Sequence, residues 1–332
     1  MLNFLDGVAL TVWFGDFGGD IYTGDQTTYE EKTKQIQEAI STERFEEDFW
    51  KIRRMILPRE IKVKEYDLRK DRKLIVVPGF ARYYNIAGQL ALAKALGKKK
   101  ILLGAEEKEA ALTIGGACKE LGFDMLAFLS CDLAEDQEFL SELKSFGCET
   151  DTETCKTYFD MPYVHVISAS ARMPESMVLP VTANYTEYPY PSLAGKFAAI
   201  YGTEIRKLVG EEPDCIAAAI HDGTEAVGLL KAYRGTTCRL VTVERTVAQE
   251  YHSGESLMTR SADKAERNTI LCPELANWWR MAEVMRLGCD RLLTVQTDWL
   301  EDTDLTPNLA RAVTLVYERT GCKKLMAVEE SV

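Results

Sequence analysis

The chain has 332 residues, of which 46% are apolar and 28% are charged, as in folded globular proteins rather than disordered or fibrous ones. Its net charge of −12 argues against general nucleic-acid binding, which needs clustered lysine and arginine. The nine cysteines form no CxxC pair, which disfavours a zinc ribbon and a disulfide framework and indicates a reduced, cytoplasmic protein. No apolar run is long enough to predict a membrane span.

The first half of the chain predicts helices followed by alternating strands and helices. Residues 27–55 carry apolar side chains at helical spacing, which indicates one or two amphipathic helices. Strands and helices then alternate, with strands at 73–78, 100–104 and 125–130 and helices at 85–96, 110–121 and 136–146. Helices of this length between strands indicate parallel βαβ units.

The same alternation returns in the second half, with helices at 193–208 and 225–233 and strands at 215–220 and 239–244. The stretch between the two series, 150–188, predicts irregular structure with one strand-like run, Tyr163–Ile167. We therefore predict an α/β protein with two open, mostly parallel sheet lobes flanked by helices. One lobe comprises residues 1–80 plus 190–332, the other residues 81–189, and a ligand cleft is expected between them.

Three polar segments each stand between a predicted strand and the next helix, where α/β sheets place ligands; they are Gly79–Asn85, Gly104–Glu109 and His221–Glu225. Carboxylates at a helix start are also explained by the helix dipole, and tyrosines there by packing. Among the three histidines, His221 is the preferred acid–base group because it follows a buried strand and opens a helix. We expect His165 to be structural and His252 to be solvated. The common nucleotide, hydrolase and metalloprotease motifs are absent.

Several blocks of the sequence resemble tryptophan synthase β-subunits in both order and spacing. They are residues 13–19 (WFGDFGG), 85–98 (NIAGQLALAKALGK), 187–191 (EYPYP), 211–214, 241–244 and the ending at 321–331. The resemblance implies the fold of type II pyridoxal-phosphate (PLP) enzymes, with residues 81–189 equivalent to the mobile communication domain of that family. It also implies a homodimer or a hetero-oligomer with a related subunit.

Where the family carries its catalytic lysine, this sequence carries a tyrosine. The family's lysine forms an imine with PLP within an HKxN segment, and the corresponding residues here are Arg82, Tyr83, Tyr84 and Asn85. A phenol cannot form an imine. The resemblance therefore implies a protein that does not attach the cofactor covalently through this position.

The family's two other cofactor segments also differ in this chain. The acid–base glutamate corresponds to Gly104, and the glycine-rich loop after it corresponds to residues 105–111, which hold three glutamates and a lysine. The GGGSN phosphate loop corresponds to His221–Glu225, where Asp222 and Glu225 add negative charge. Carboxylates in place of small residues that expose N–H groups disfavour an anionic ligand.

These departures predict a chain that is not a PLP Schiff-base catalyst and whose cleft binds a small aromatic or cationic molecule. We assign catalysis to His221, Tyr83 and Lys108, and ligand binding to Arg82, Tyr84, Asn85, Glu106, Glu109, Asp222, Thr224, Glu225 and Glu244. No cofactor is expected. A divalent metal is an alternative because one histidine with several carboxylates suits Mg, Mn or Zn, although no ligand spacing supports it.

Three further questions stay open at this point. The first is whether the ligand is transformed; if it is, a PLP-independent or strongly altered lyase-like or transferase-like reaction is expected. A second reading is an inactive partner or regulatory subunit that uses the family's subunit interfaces. A third is a lyase that binds PLP noncovalently or through Lys108 as a displaced imine lysine. Under each of these readings, neither nucleic acid nor a membrane is expected as a partner.

Overall fold

A computed structural model describes residues 9–13, 19–23, 26–57, 60–152, 162–180, 189–219, 224–245, 283–287 and 297–329. The chain divides into two compact units. Unit 1 comprises residues 1–10, 21–58 and 83–185, and unit 2 comprises residues 11–20, 59–82 and 186–332. Residues 21–58 thus fall in unit 1, whereas residues 1–80 were predicted to belong to the other lobe.

The strands within the described ranges are β1 (Ala9–Trp13), β2 (Gly19–Thr23), β3 (Lys64–Leu68), β4 (Arg72–Pro78), β5 (Lys100–Ala105), β6 (Asp124–Leu129), β7 (Glu149–Asp151), β8 (Ser176–Val178), β9 (Cys215–Ala219), β10 (Arg239–Arg245), β11 (Glu283–Leu287) and β12 (Lys324–Glu329). The helices there are α1 (Gln26–Ile40), α2 (Glu43–Ile56), α3 (Ala81–Ala95), α4 (Lys108–Leu121), α5 (Cys131–Glu135), α6 (Gln137–Ser145), α7 (Pro162–Ser170), α8 (Tyr190–Val209), α9 (Thr224–Ala232) and α10 (Pro307–Thr320). Asp298–Leu300 forms a 3-10 turn, and β1 pairs with β2.

Unit 1 is built on a parallel four-stranded sheet in the order β7-β6-β5-β8. Lys100 of β5 stands opposite Asp124 of β6 on one side and Ser176 of β8 on the other, so the carboxyl ends of β5 and β6 reach one edge together. Helix α2 buries one apolar stripe, which consists of Phe45, Phe49, Ile52 and Ile56. These four positions follow helical spacing, which is why the sequence pattern indicated an amphipathic helix.

Unit 2 is built on a six-stranded sheet in the order β11-β10-β9-β12-β4-β3. Its strands run parallel except β3, which pairs antiparallel with β4 through a turn whose residues Lys70 and Asp71 have φ of 63° and 54°. Helix α10 covers the sheet, and its residues Val313, Val316 and Tyr317 belong to one buried cluster. The strand residues of this cluster include Leu74, Val76, Ala217, Val241 and Leu325. The predicted parallel βαβ organisation and the α/β fold class are confirmed.

Three predicted elements differ from the structure. The apolar run 163–167 is not a strand but part of helix α7, which Pro162 opens at a position where proline's missing N–H costs nothing. Helix α3 begins at Ala81 rather than at residue 85. The helix predicted at 136–146 is α6 preceded by the short α5, because the Asp136 carboxylate caps α6 by accepting the Phe139 N–H at 3.0 Å.

No helix within the described ranges is both long and apolar enough to cross a membrane.

Candidate functional site

The candidate site lies where β5 ends and α4 begins in unit 1. Strand β5 ends at Ala105, whose carbonyl accepts the Ser130 N–H at 3.0 Å and thereby ties the ends of β5 and β6 together. Glu107 is the N-cap residue of α4, and Glu109 lies in the first turn of that helix. The helix dipole favours carboxylates at this end, so the acidic side chains are placed where the backbone stabilises them.

Tyr83 is joined to this acidic helix start by a hydrogen bond. Its hydroxyl donates to Glu109 Oε1 at 2.9 Å, and the tyrosine is buried with 3% of its surface exposed. Because α3 begins at Ala81, Tyr83 sits in the first turn of a helix rather than in a loop. The bond therefore connects the first turns of α3 and α4, and both helix dipoles favour the negative charge of Glu109.

Lys108, the candidate for a displaced imine lysine, is engaged in an ion pair. Its Nζ lies 3.1 Å from Asp136 Oδ2, with 42% of the lysine side chain and 34% of the aspartate side chain exposed. The pKa of Asp136 is lowered, first because the Phe139 N–H donates to its carboxylate and then because Lys108 does. Asp136 was not among the site residues predicted from the sequence, although an Asp directly before a helix pattern is a recognisable capping signal.

Tyr84 is packed inside unit 1. It is fully buried, its hydroxyl accepts a hydrogen bond from Arg53 Nη2 at 2.5 Å, and its ring lies 6.2 Å from that of Phe49 on α2. The Arg53 guanidinium also stacks over the Tyr84 ring at 5.0 Å. These contacts with α2 give Tyr84 a packing role, and Arg82, two residues before it, is also buried.

Asn85 is tied to the protein backbone. Its Nδ2 donates to the Pro180 carbonyl at 3.2 Å, and its Oδ1 accepts from Gln89 Nε2 at 3.3 Å. Gln89 was not singled out from the sequence, although an amide within an apolar helix is a visible signal. It is fully buried, and its Oε1 has no hydrogen-bond partner among the residues that the structure describes.

The candidates of unit 2 are described only in part. His221 and Asp222 lie outside the described residues. Thr224 opens α9 and the half-buried Glu225 follows it, so these two residues stand at a helix N-terminus as the sequence predicted. Glu244 lies in β10, where its backbone is in register with Arg286 of β11. The described residues hold no group of three side chains suited to a metal ion.

Among the chain's relatives are tryptophan synthase β chains. No family model matches the chain. The tryptophan synthase β chain of Rhodopseudomonas palustris (strain TIE-1) is 24% identical over 162 residues, which cover 47% of this chain and 40% of the relative. That of Helicobacter hepaticus (strain ATCC 51449 / 3B1) is 25% identical over 174 residues, which cover 50% of this chain and 41% of the relative. The match thus spans well under half the length of either relative.

A solved structure shares the fold over most of the chain. It is a pyridoxal 5'-phosphate-dependent aspartate racemase, with a TM-score of 0.56 and 12% identity over 89% of this chain and 94% of that one. At this identity the likeness shows the fold alone. The chain thus resembles tryptophan synthase β chains over about half of its length and shares the fold of a PLP-dependent enzyme, which confirms the resemblance that its sequence blocks predicted.

Proposed function

We propose that this chain forms no PLP imine and instead binds a small organic cation, such as an aromatic amine, at the start of α4. The observation that carries the proposal is the 2.9 Å hydrogen bond from Tyr83 to Glu109. In this bond, the residue at the position of the family's lysine contacts a carboxylate. A carboxylate is an acceptor suited to an ammonium group.

The charge around Glu109 supports a cation as the ligand. Glu106, Glu107 and Glu109 stand within four consecutive residues, and the lysine among them is already paired with Asp136. A carboxylate-bearing ligand would meet net repulsion here, whereas an ammonium group would be attracted. The dipoles of α3 and α4 together offset only about one unit charge, which is less than the charge of the three carboxylates, so they do not reverse this preference.

The described residues do not fit a covalently attached PLP. An imine requires an amine, but position 83 offers a phenol, and the Lys108 side chain is engaged in an ion pair with Asp136. The tryptophan synthases and the PLP-dependent racemase that resemble this chain are named for reactions or a cofactor that this site does not support. We derive no catalytic step through PLP for this chain.

The chemistry that Tyr83 and Glu109 offer is binding and proton transfer. The exposed Glu109 carboxylate has enough lone pairs to accept hydrogen bonds from both the Tyr83 hydroxyl and a ligand ammonium. The ring of Tyr83 is held in place by its own hydrogen bond. If the ligand is transformed, Glu109 is the group that takes or returns a proton, with Tyr83 steadying its charge. His221 remains the second acid–base candidate, as predicted from the sequence.

The cofactor half of the proposal is tested by trapping. The purified protein is mixed with PLP, reduced with sodium borohydride and mapped by peptide mass spectrometry. We expect no stoichiometric pyridoxyl group on any one lysine. A stoichiometric adduct at Lys108 that disappears in Lys108→Arg would establish the displaced-lysine alternative, and an adduct on another single lysine would equally overturn the proposal.

The ligand half is tested by thermal shift with matched probes. Benzylamine should raise the melting temperature of the wild type, while the uncharged benzyl alcohol should not. The response should be lost in Glu109→Gln and kept in Glu120→Gln, which removes an exposed carboxylate at the far end of the same helix. Equal responses to both probes, or none to benzylamine, would refute cation binding; stabilisation by a co-purifying subunit alone would favour the regulatory-subunit alternative.

A further inference from the structure

A second cavity-forming region of unit 1 lies where the helices α2, α4 and α6 end. The cavity has a volume of about 350 Å³ and is open to solvent. Its apolar lining includes Ile56, the last residue of α2, Leu112 and Ala117 of α4, and Phe146, the residue that follows α6. Pockets of roughly 300–1,000 Å³ with apolar walls and a few polar groups are the usual sites of small-molecule binding.

Two adjacent glycines of α4 differ in what surrounds them. A Cβ added to Gly115 would lie 3.0 Å from Phe146 Cδ2 and 3.2 Å from Cys148 Sγ, so the packing of α6 and its following residues explains this glycine. A Cβ added to Gly116, which lines the cavity, would meet nothing within 4 Å. Glycine weakens a helix interior relative to alanine. Gly116 therefore lowers the stability of α4 without serving close packing, and its effect is to keep the cavity open.

One cation and one carboxylate line the same cavity, and both come from the last turns of α4. They are Lys119 and Glu120, which are exposed. Lys119 Nζ donates to the Ser145 carbonyl at 3.1 Å and lies 5.9 Å from the centre of the Phe146 ring. These contacts hold the ammonium group beside the cavity, and an ammonium with three donors can still bind a ligand carboxylate. Glu120 offers acceptors for a ligand ammonium.

The charges around the cavity favour a ligand that carries both signs. A simple anion would be attracted by Lys119 but repelled by Glu120 and by the carboxyl ends of the helices, which carry partial negative charge. A simple cation would be attracted by Glu120 but repelled by Lys119. A zwitterion meets an opposite charge at each of its groups, and the apolar wall offers a place for a side chain between them.

We propose that this cavity binds a free amino acid with an apolar side chain. Lys119 takes the carboxylate, Glu120 takes the ammonium, and the side chain fills the space beside Gly116. An aromatic side chain gains additional attraction from the Phe146 ring and from the thioether of Met55, which also lines the cavity.

This site is separate from the start of α4. Lys119 lies ten residues after Glu109 on the same helix, which corresponds to roughly 15 Å at 1.5 Å per residue. The carboxylates at the start of α4 repel a ligand carboxylate, so an amino acid is directed to the end of the helix rather than to Glu109. The two sites are therefore expected to take different ligands.

Titration of the full-length protein with L-phenylalanine, followed by the rise in melting temperature, tests the proposal. For a ligand of about a dozen heavy atoms we expect saturable binding with a dissociation constant on the order of 1 mM. N-acetyl-L-phenylalanine keeps the side chain and the carboxylate but lacks the ammonium group. It should bind more weakly than L-phenylalanine, and equal binding of the two compounds would overturn the proposal, as would a wild type that gives no saturable response to L-phenylalanine.

Variants of α4 locate the binding. Gly116→Leu fills the cavity and should abolish the response to L-phenylalanine. Lys119→Gln should weaken binding by roughly two- to fivefold, as for a solvent-exposed ion pair. Lys144→Gln is the matched control, since Lys144 is an exposed lysine in the last turn of α6 that does not line the cavity, and it should bind as the wild type does.

The outcomes separate this site from the one at Glu109. Glu109→Gln should keep the response to L-phenylalanine even though it is expected to lose the response to benzylamine, so either site can fail without the other. A Gly116→Leu variant that melts cooperatively and still binds L-phenylalanine as the wild type does would overturn the proposal. If that variant does not fold, the comparison of Lys119→Gln with Lys144→Gln decides, and equal binding by these two would overturn it.

Discussion

Tyr83 donates a 2.9 Å hydrogen bond to Glu109 across 26 residues of sequence, and this bond joins the first turns of two helices. Tyr83→Phe removes the donor from a buried side chain while Glu109 keeps access to water. We therefore expect the free energy of unfolding to fall by about 0.5–1.5 kcal/mol.

Urea denaturation of the wild type, Tyr83→Phe, Glu109→Gln and the double variant measures this contribution. The two single changes should not add, because both act on the same bond. Simple additivity, or a Tyr83→Phe variant as stable as the wild type, would show that the bond contributes nothing to stability.

Position 83 could be found from the sequence, but its partner could not. The alternation of strands and helices placed residues 79–85 at a strand-to-helix junction, and the resemblance pointed to Tyr83 within it. The bond to Glu109 depends on how α3 lies against α4, which is fixed by packing over many residues rather than by local pattern. The same limit explains the apolar run 163–167, since a short run without alternation fits a buried strand and a buried helix equally well.

Gly202 on α8 and Gly228 on α9 let these two helices approach closely. A Cβ added to Gly202 would lie 2.1 Å from the Gly228 carbonyl oxygen, and one added to Gly228 would lie 2.3 Å from the Ala198 carbonyl oxygen. Because the obstacles are backbone atoms, Gly202→Ala must push the helices apart. We expect a loss of about 1–3 kcal/mol in the free energy of unfolding, or more, as for overpacking in a core.

Gly116 on α4 provides the matched control for this prediction. Nothing lies within 4 Å of a Cβ added there, and alanine favours a helix interior over glycine. Gly116→Ala should leave stability unchanged or raise it by up to about 1 kcal/mol. Thermal melts of both variants check this, and equal effects at the two positions would contradict the close approach of α8 and α9.

Tyr201 on α8 donates a 2.7 Å hydrogen bond to the carbonyl of Pro78 at the end of β4, and the tyrosine is fully buried. Tyr201→Phe leaves this carbonyl without its partner, so we expect a loss of about 1–3 kcal/mol. Chemical denaturation followed by circular dichroism measures it. Thr203→Val is a suitable comparison, since Thr203 is exposed and bonds only within its own helix turn; an equal loss there would argue against a special role for the buried bond.

Asp136 should make the stability of unit 1 depend on pH in acid. Its pKa in the folded protein is lowered, chiefly by the Phe139 N–H and then by Lys108, so the charged form is favoured by folding. The contribution of the Asp136 charge to stability is therefore fully present above the unfolded pKa of about 4 and is lost as the pH falls through the lower folded pKa.

Asp136→Asn keeps a capping oxygen but loses the ion pair, so its melting temperature should lie below that of the wild type near neutral pH. The difference should shrink below about pH 4, and salt should reduce its Lys108 component because the pair is partly exposed. Melting curves from pH 7 to pH 3 in low and high salt provide the measurement, and a difference that stays constant or grows in acid would show that the charge of Asp136 is not what stabilises the start of α6.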